Sequence, residues 1–231
     1  MPIRVVLERG PKAKKFVAYA IDWPGWSRGA KTPDEAVETF AAYQDRYRPI
    51  AVRAGLGTEF DDAGPLEVVE DRVGPGSVDF WAISFSPSSL EHEPMDAAEL
   101  ERKITILQAC WDYFDDVAAR VSPEMRKGPR GGGRDRDTII RHTVRVESED
   151  FAKKVGLAIP ERGALEPGAL EPYRSDYLDA MRAYQRGEIK RPMRSWTLAF
   201  LVRHSAFHTM DHAWEMEDKD LSGEADNDAA S

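Results

Sequence analysis

The sequence predicts two domains, an α+β domain with a small antiparallel sheet and one helix, followed by an all-α four-helix bundle. Short runs of Val, Ile, Phe and Tyr between Gly and Pro turns predict the sheet within residues 1–86. Four stretches with apolar residues at helical spacing predict the bundle over residues 96–218. Pro and Ser predict a linker at residues 87–95, and small and acidic residues predict a disordered tail at 219–231.

The composition restricts the kind of protein. The chain has 231 residues and a net charge of −9 at pH 7. Such a charge disfavours general nucleic-acid binding, which needs basic side chains against phosphates. No apolar run approaches the roughly 18 residues of a membrane span, and residues 1–9 lack a signal-peptide core. A single cysteine, Cys110, excludes an internal disulfide. We therefore expect a cytoplasmic protein with no membrane partner.

The first domain alternates strands with one helix. Thr32 and Pro33 are typical of a helix start, with Glu35 closing a capping box, and this helix is expected to continue to about residue 54. Because no His or Cys precedes His92, we interpret the domain as an interaction module with a protein partner. The expected strands are Ile3–Arg9, 16–22, a short one at 26–30, Leu66–Val73, and 78–86.

One segment of this domain carries a family resemblance. The sequence Ala-Tyr-Ala-Ile-Asp-Trp-Pro-Gly-Trp ends the second strand, and Thr-Pro-Asp-Glu-Ala opens the helix. With these two motifs, residues 2–73 resemble the small HicB-like α/β domain. The resemblance implies a regulatory protein of the antitoxin type, with a protein toxin as its partner.

The second domain is predicted to contain four helices. Asp96, Asp137 and Ser195 are good N-caps for three of them, and Gly156 and Gly187 are typical stops. A basic, Gly-rich loop between the first two helices either binds an anion or is simply solvated, and the sequence leaves both readings open. The expected helices are 97–121, 138–155, 173–186 and 195–218.

The last of these helices holds three of the five histidines in the chain. His204, His208 and His212 are spaced i, i+4, i+8, so they share one helix face, and Glu215 continues that face. Imidazoles at i, i+4 can bind one metal ion together. His142, on the inward face of the second helix, is a further candidate ligand. The alternative is a stripe of packing histidines, and spacing alone does not choose between the two overlapping pairs.

The same residues resemble a second family. Thr-Ile-Ile-Arg-His142 and Ala-Phe-His208-Thr-Met-Asp-His212-Ala-Trp-Glu look like the histidine motifs of DinB-like proteins, over residues 96–218. That family shares a four-helix bundle with bacterial thiol-dependent maleylpyruvate isomerases. The resemblance implies a metal bound by His142, His208 and His212, with His204 as an alternative or outer position. It also implies a low-molecular-weight thiol cofactor and a homodimer.

Three imidazole ligands leave a coordination position open, which is typical of catalytic metal sites. Zinc or nickel suits such ligands best, while manganese or iron remain open. We expect a transferase, isomerase or hydrolase that activates the thiol or water against a small electrophile. The alternative is a non-enzymatic stress-response or HicB-like interaction protein with a structural metal or none. Candidate carboxylate-binding residues are Arg141, Arg145 and Arg203, and Glu149 and Glu215 are candidate fourth ligands, bases or outer residues.

Overall fold

The computed structural model describes residues 1–129, 131–157, 159–191 and 193–223. Residues 224–231 of the predicted tail lie outside the described residues. In the described part of that segment, Asp220 forms a β-bridge with Met125. Contacts divide the chain into two compact units, each built from two stretches of sequence, so the division differs from the predicted boundary at residues 87–95. The first unit is Met1–Cys110 with Pro192–Phe207, and the second is Trp111–Arg191 with His208–Ser231.

The first unit contains a four-stranded sheet in the order β3-β2-β1-β4. Its strands are β1 (Ile3–Arg9), β2 (Phe16–Ala20), β3 (Ser27–Ala30) and β4 (Leu66–Val73). β1 pairs antiparallel with β2, and β2 with β3, whereas β1 and β4 are parallel. The expected purely antiparallel sheet is therefore wrong. The helices between β3 and β4 return the chain to the starting end of β1, which makes the added strand parallel.

Three helices connect β3 with β4, where the sequence predicted one. They are α1 (Pro33–Ala42), α2 (Gln44–Arg53) and α3 (Gly57–Asp61). The Thr32 hydroxyl accepts a hydrogen bond from the Glu35 amide at 3.2 Å, so the predicted N-cap is confirmed. Tyr43 separates α1 from α2 because its ψ of 2° departs from the helical value. Trp26 stacks on Phe40 and Tyr47, with ring centroids 4.2 and 5.4 Å away, and so joins both helices to the sheet.

The predicted strand at residues 78–86 is wrong. The chain forms a short helix there, α4 (Val78–Trp81), which ends where Ala82 adopts a positive φ of 56°. The Asp79 carboxylate accepts hydrogen bonds from the amides of Lys12 and Lys14, at 2.9 and 2.8 Å. This contact ties the segment to the β1–β2 turn, and the side chain of Val78 packs into the core instead of extending the sheet.

Four longer helices follow, close to the predicted positions, with a single-turn helix between the second and the third. α5 is Ala97–Arg120, α6 is Arg136–Val146, α7 is a single turn at Glu161–Ala164, α8 is Leu170–Gln185 and α9 is Leu198–Asp218. A π-helical turn, Glu147–Phe151, and a 3-10 turn, Ala152–Val155, continue α6, so the predicted helix 138–155 is not uniformly α-helical. Gly156 ends this segment with a φ of 84°. None of the helices in the described ranges is long and apolar enough to cross a membrane.

Candidate metal centre

α6 and the part of α9 that belongs to the second unit bring three histidines together. His208 and His212 lie one turn apart on α9 and therefore point to the same side. His142 comes from α6, with its ring centroid 5.3 Å from that of His208 and 5.0 Å from that of His212. This cluster contains the same three histidines that the family resemblance selected.

The spacing of the three rings fits one metal ion. One nitrogen from each ring lies within 4.8 Å of the other two. Imidazole nitrogens bind zinc at about 2.0–2.1 Å, so two nitrogens on one ion are at most about 4 Å apart. Small side-chain rotations close that difference. His212 is buried, while His142 and His208 are half-buried, so the cluster is partly accessible.

Glu215 holds the ring of His212. A carboxylate oxygen of Glu215 lies 2.8 Å from His212 Nδ1, and its other oxygen accepts a hydrogen bond from Lys219 Nζ at 2.6 Å. The hydrogen bond with His212 and then the one with Lys219 lower the pKa of the Glu215 carboxyl to about 2, against the effect of burial. A charged carboxylate on Nδ1 leaves Nε2 of His212 as the ligand nitrogen.

The surroundings of His142 favour the neutral ring. Burial, and then the positive charges of Arg134, His212 and Arg145, lower the pKa of His142 to about 4. Neutral imidazole is the form that binds metals. The Phe151 ring, from the π-helical turn, contacts His208 edge-on with centroids 5.5 Å apart. Arg145 was a candidate from the sequence, and Arg134 belongs to the basic, Gly-rich loop that was considered for anion binding, whereas Phe151 was not predicted.

His204 is not a member of the cluster. It lies in the part of α9 that belongs to the first unit, and it is 5% exposed. Its ring stacks on Phe200 at a centroid distance of 5.1 Å and contacts Trp196 at 5.3 Å. Burial, and then the charge of Arg203, lower the pKa of His204 to about 3. This environment is that of a packing histidine. His92, the remaining one, is exposed.

The other candidate residues have separate contacts. Glu149 accepts a hydrogen bond from the amide of Glu161 at 3.1 Å, which places its carboxylate at the start of α7. Arg141 is exposed, 3.8 Å from the Glu161 carboxylate. Arg203 is buried in the first unit, where its guanidinium donates to Glu91 at 2.6 Å. Of the three arginines named from sequence, Arg145 is the one whose charge acts on a cluster histidine.

No protein-family model, curated protein or solved structure matches this chain.

Proposed function

We propose that the chain is a DinB-like protein that binds one divalent transition metal, zinc or nickel, through His142, His208 and His212. The observation that carries the proposal is the cluster itself, in which three imidazoles from two helices lie within 4.8 Å of one another. The neutral state of His142 and the carboxylate on His212 support the same assignment.

The proposed activity is transfer, isomerisation or hydrolysis of a small electrophile. A metal held by three imidazoles supplies an open position at which a low-molecular-weight thiol, or water, loses its proton near neutral pH. The chain contributes the ligands, and Glu215 with Lys219 keeps the His212 ring in place. Arg134 and Arg145 provide positive charge beside His142, which suits a thiol or substrate that carries a carboxylate.

The wider proposal follows the same family resemblance. The helices of the second half are arranged as a four-helix bundle, the protein acts in the cytoplasm, and it forms a homodimer. The net charge of −9 disfavours nucleic acid as a partner.

The first experiment measures metal content in protein purified without a histidine tag. We expect about one equivalent of metal per chain, because the cluster offers one set of ligands, and we expect His208→Ala to lose it. His92→Ala is the matched control, since His92 is exposed and outside the cluster. No metal in the wild type after incubation with zinc, nickel and manganese would overturn the proposal.

A turnover assay separates catalysis from simple binding. Metal-loaded protein is mixed with glutathione or cysteine and a chloronitrobenzene, and thioether formation is followed by absorbance. We expect acceleration by the wild type and background rates for His208→Ala. Equal rates in a wild type that holds its metal would contradict the enzymatic part of the proposal.

One observation favours the non-enzymatic alternative, an interaction or HicB-like regulatory protein. Phe80 and Trp81 are 66% and 59% exposed and contact each other at a centroid distance of 4.5 Å. Adjacent exposed aromatic residues are typical of protein interfaces. Bound metal without turnover would favour this second candidate, with the metal in a structural role.

A further inference from the structure

The first unit contains a cavity of about 530 Å³ that is separate from the histidine cluster. Ile3 and Trp23, both almost fully buried, give it an apolar floor. The exposed side chains of Glu59 and Glu99 lie at its rim. Cavities of this size and lining are typical of sites for small organic molecules.

Lys103 lines this cavity and is unusual for a lysine. Its side chain is 4% exposed, although lysine is rarely buried without a close charged partner. Nζ donates a hydrogen bond to the carbonyl oxygen of Ile21 at 3.0 Å, and it lies 3.4 Å from a carboxylate oxygen of Glu99. The Glu99 side chain is itself 45% exposed.

Burial lowers the pKa of the Lys103 amine, while the negative charges of Glu99, Asp22 and Glu91 oppose this effect. The lowered pKa increases the fraction of neutral amine, which is the nucleophilic form.

The two guanidiniums that line the cavity are both paired with carboxylates. Arg4 donates two hydrogen bonds to the Asp22 carboxylate, at 2.8 and 2.5 Å. Arg102 donates to Glu59 at 2.6 Å and lies over the ring of Trp23, 4.6 Å from its centroid. Each guanidinium therefore already holds a carboxylate, which favours a neutral ligand over an anion. A guanidinium does not lose its proton in proteins, so neither arginine can act as a nucleophile.

We propose that this cavity binds a small neutral aldehyde or ketone and that Lys103 captures its carbonyl carbon as an imine. The lone pair of Nζ forms the new C–N bond, and the carbonyl oxygen leaves as water with both protons of the neutral amine. No oxidant or reductant is required. The Glu99 carboxylate, beside Nζ, is placed to carry a proton from the nitrogen to the departing oxygen. This proposal does not depend on the metal centre.

The test traps the imine in the full-length chain. Protein is incubated with benzaldehyde and sodium cyanoborohydride near neutral pH, and labelling of each lysine is followed by digestion and mass spectrometry. We expect Lys103 to be labelled several-fold faster than the exposed Lys12 and Lys14, because the cavity holds the aldehyde beside its amine. In denaturant the difference should vanish.

Two variants complete the test. Lys103→Arg should lose this adduct while Lys12 and Lys14 react as before, and His208→Ala should retain it, which separates the cavity from the metal centre. Labelling of Lys103 no faster than that of Lys12 and Lys14 in the folded wild type would overturn the proposal. That ratio is measured on the wild type, so it decides the matter even if Lys103→Arg does not fold.

Discussion

At the residue scale, Glu215 is the side chain that distinguishes a prepared metal site from a group of histidines. It lies on the same helix as His212 and holds Nδ1 of that ring at 2.8 Å, while Lys219 holds the carboxylate in turn. A hydrogen bond of this kind fixes the ring and makes its other nitrogen a better ligand.

Glu215→Gln should therefore weaken metal binding by about 10- to 100-fold while leaving the three ligands in place. The measurement is a competition titration against a zinc-binding dye. Glu149→Gln is the control, because that carboxylate contacts the amide of Glu161 instead. Equal affinities in Glu215→Gln and the wild type would contradict the role given to Glu215.

Glu147 predicts a dependence of stability on pH. Burial raises the pKa of this carboxyl to about 7, although Arg174 and the indole of Trp111, which donates at 2.8 Å, favour its charged form. Between the ordinary pKa of 4.5 and about 7, the folded state holds a proton that the unfolded chain has released. The contribution of Glu147 to the free energy of unfolding therefore falls as pH rises through this window, by up to about 1.4 kcal/mol per pH unit. The lowered pKa values of His142 and His204 act in the opposite direction over part of the same window.

Glu147→Gln should remove this contribution, because the amide does not titrate, so the difference in unfolding free energy between the wild type and the variant should decrease as pH rises. Chemical denaturation at several pH values between 4.5 and 7 measures it. Asp150→Asn, an exposed position in the same π-helical turn, is the control and should keep the slope of the wild type. Equal slopes for the wild type and Glu147→Gln across this range would count against a protonated Glu147.

Part of the histidine cluster could be predicted from sequence spacing alone. His208 and His212 are one helical turn apart, so their proximity follows from helix geometry alone. His142 lies on another helix. Its inward position there made it a candidate ligand, and the family resemblance then selected it. The pairing of Arg203 with Glu91 joins residues 112 positions apart, and no local pattern encodes such a distance. A sequence shows which arginines exist, but burial decides which can reach a ligand.

At the scale of the elements, the N-cap predicted for α9 can be compared with the observed one. Ser195 was the predicted N-cap, yet the Thr197 hydroxyl accepts the hydrogen bond from the Phe200 amide, at 3.1 Å. Thr197→Ala should destabilise the protein by about 1 kcal/mol, since it removes the acceptor of that amide. Ser195→Ala should change the unfolding free energy little. Urea denaturation of both variants measures this, and a larger loss for Ser195→Ala would reverse the assignment.

Strands and helices were predictable where local patterns determine them. β1 was predicted with its observed bounds, and Thr32 and Asp96 cap helices as expected. The prediction of a strand at residues 78–86 was wrong because the apolar residues of this segment fit a strand as well as a helix. A contact with a distant part of the chain decides between the two. That contact joins Asp79 to the amides of Lys12 and Lys14, 67 and 65 positions away. Nor did apolar periodicity reveal the π-helical turn after α6.

At the scale of the whole molecule, metal binding should raise thermal stability. A ligand that binds only the folded state adds about 2.7 kcal/mol at a concentration 100 times its Kd. We expect zinc to raise the melting temperature of the wild type, as followed by circular dichroism, and to leave His208→Ala unchanged. An equal rise in both proteins would show that zinc binds elsewhere.

Because the first unit is built from two separate stretches of sequence, it cannot fold completely until late in translation. Its residues 1–110 leave the ribosome well before the stretch that ends at Phe207 has been synthesised. Until then Glu91 lacks Arg203, its buried ionic partner, and the aromatic rings around His204 cannot assemble completely. The nascent chain therefore carries an unfinished core through most of translation, and the helix that completes this core also carries two of the candidate metal ligands, His208 and His212.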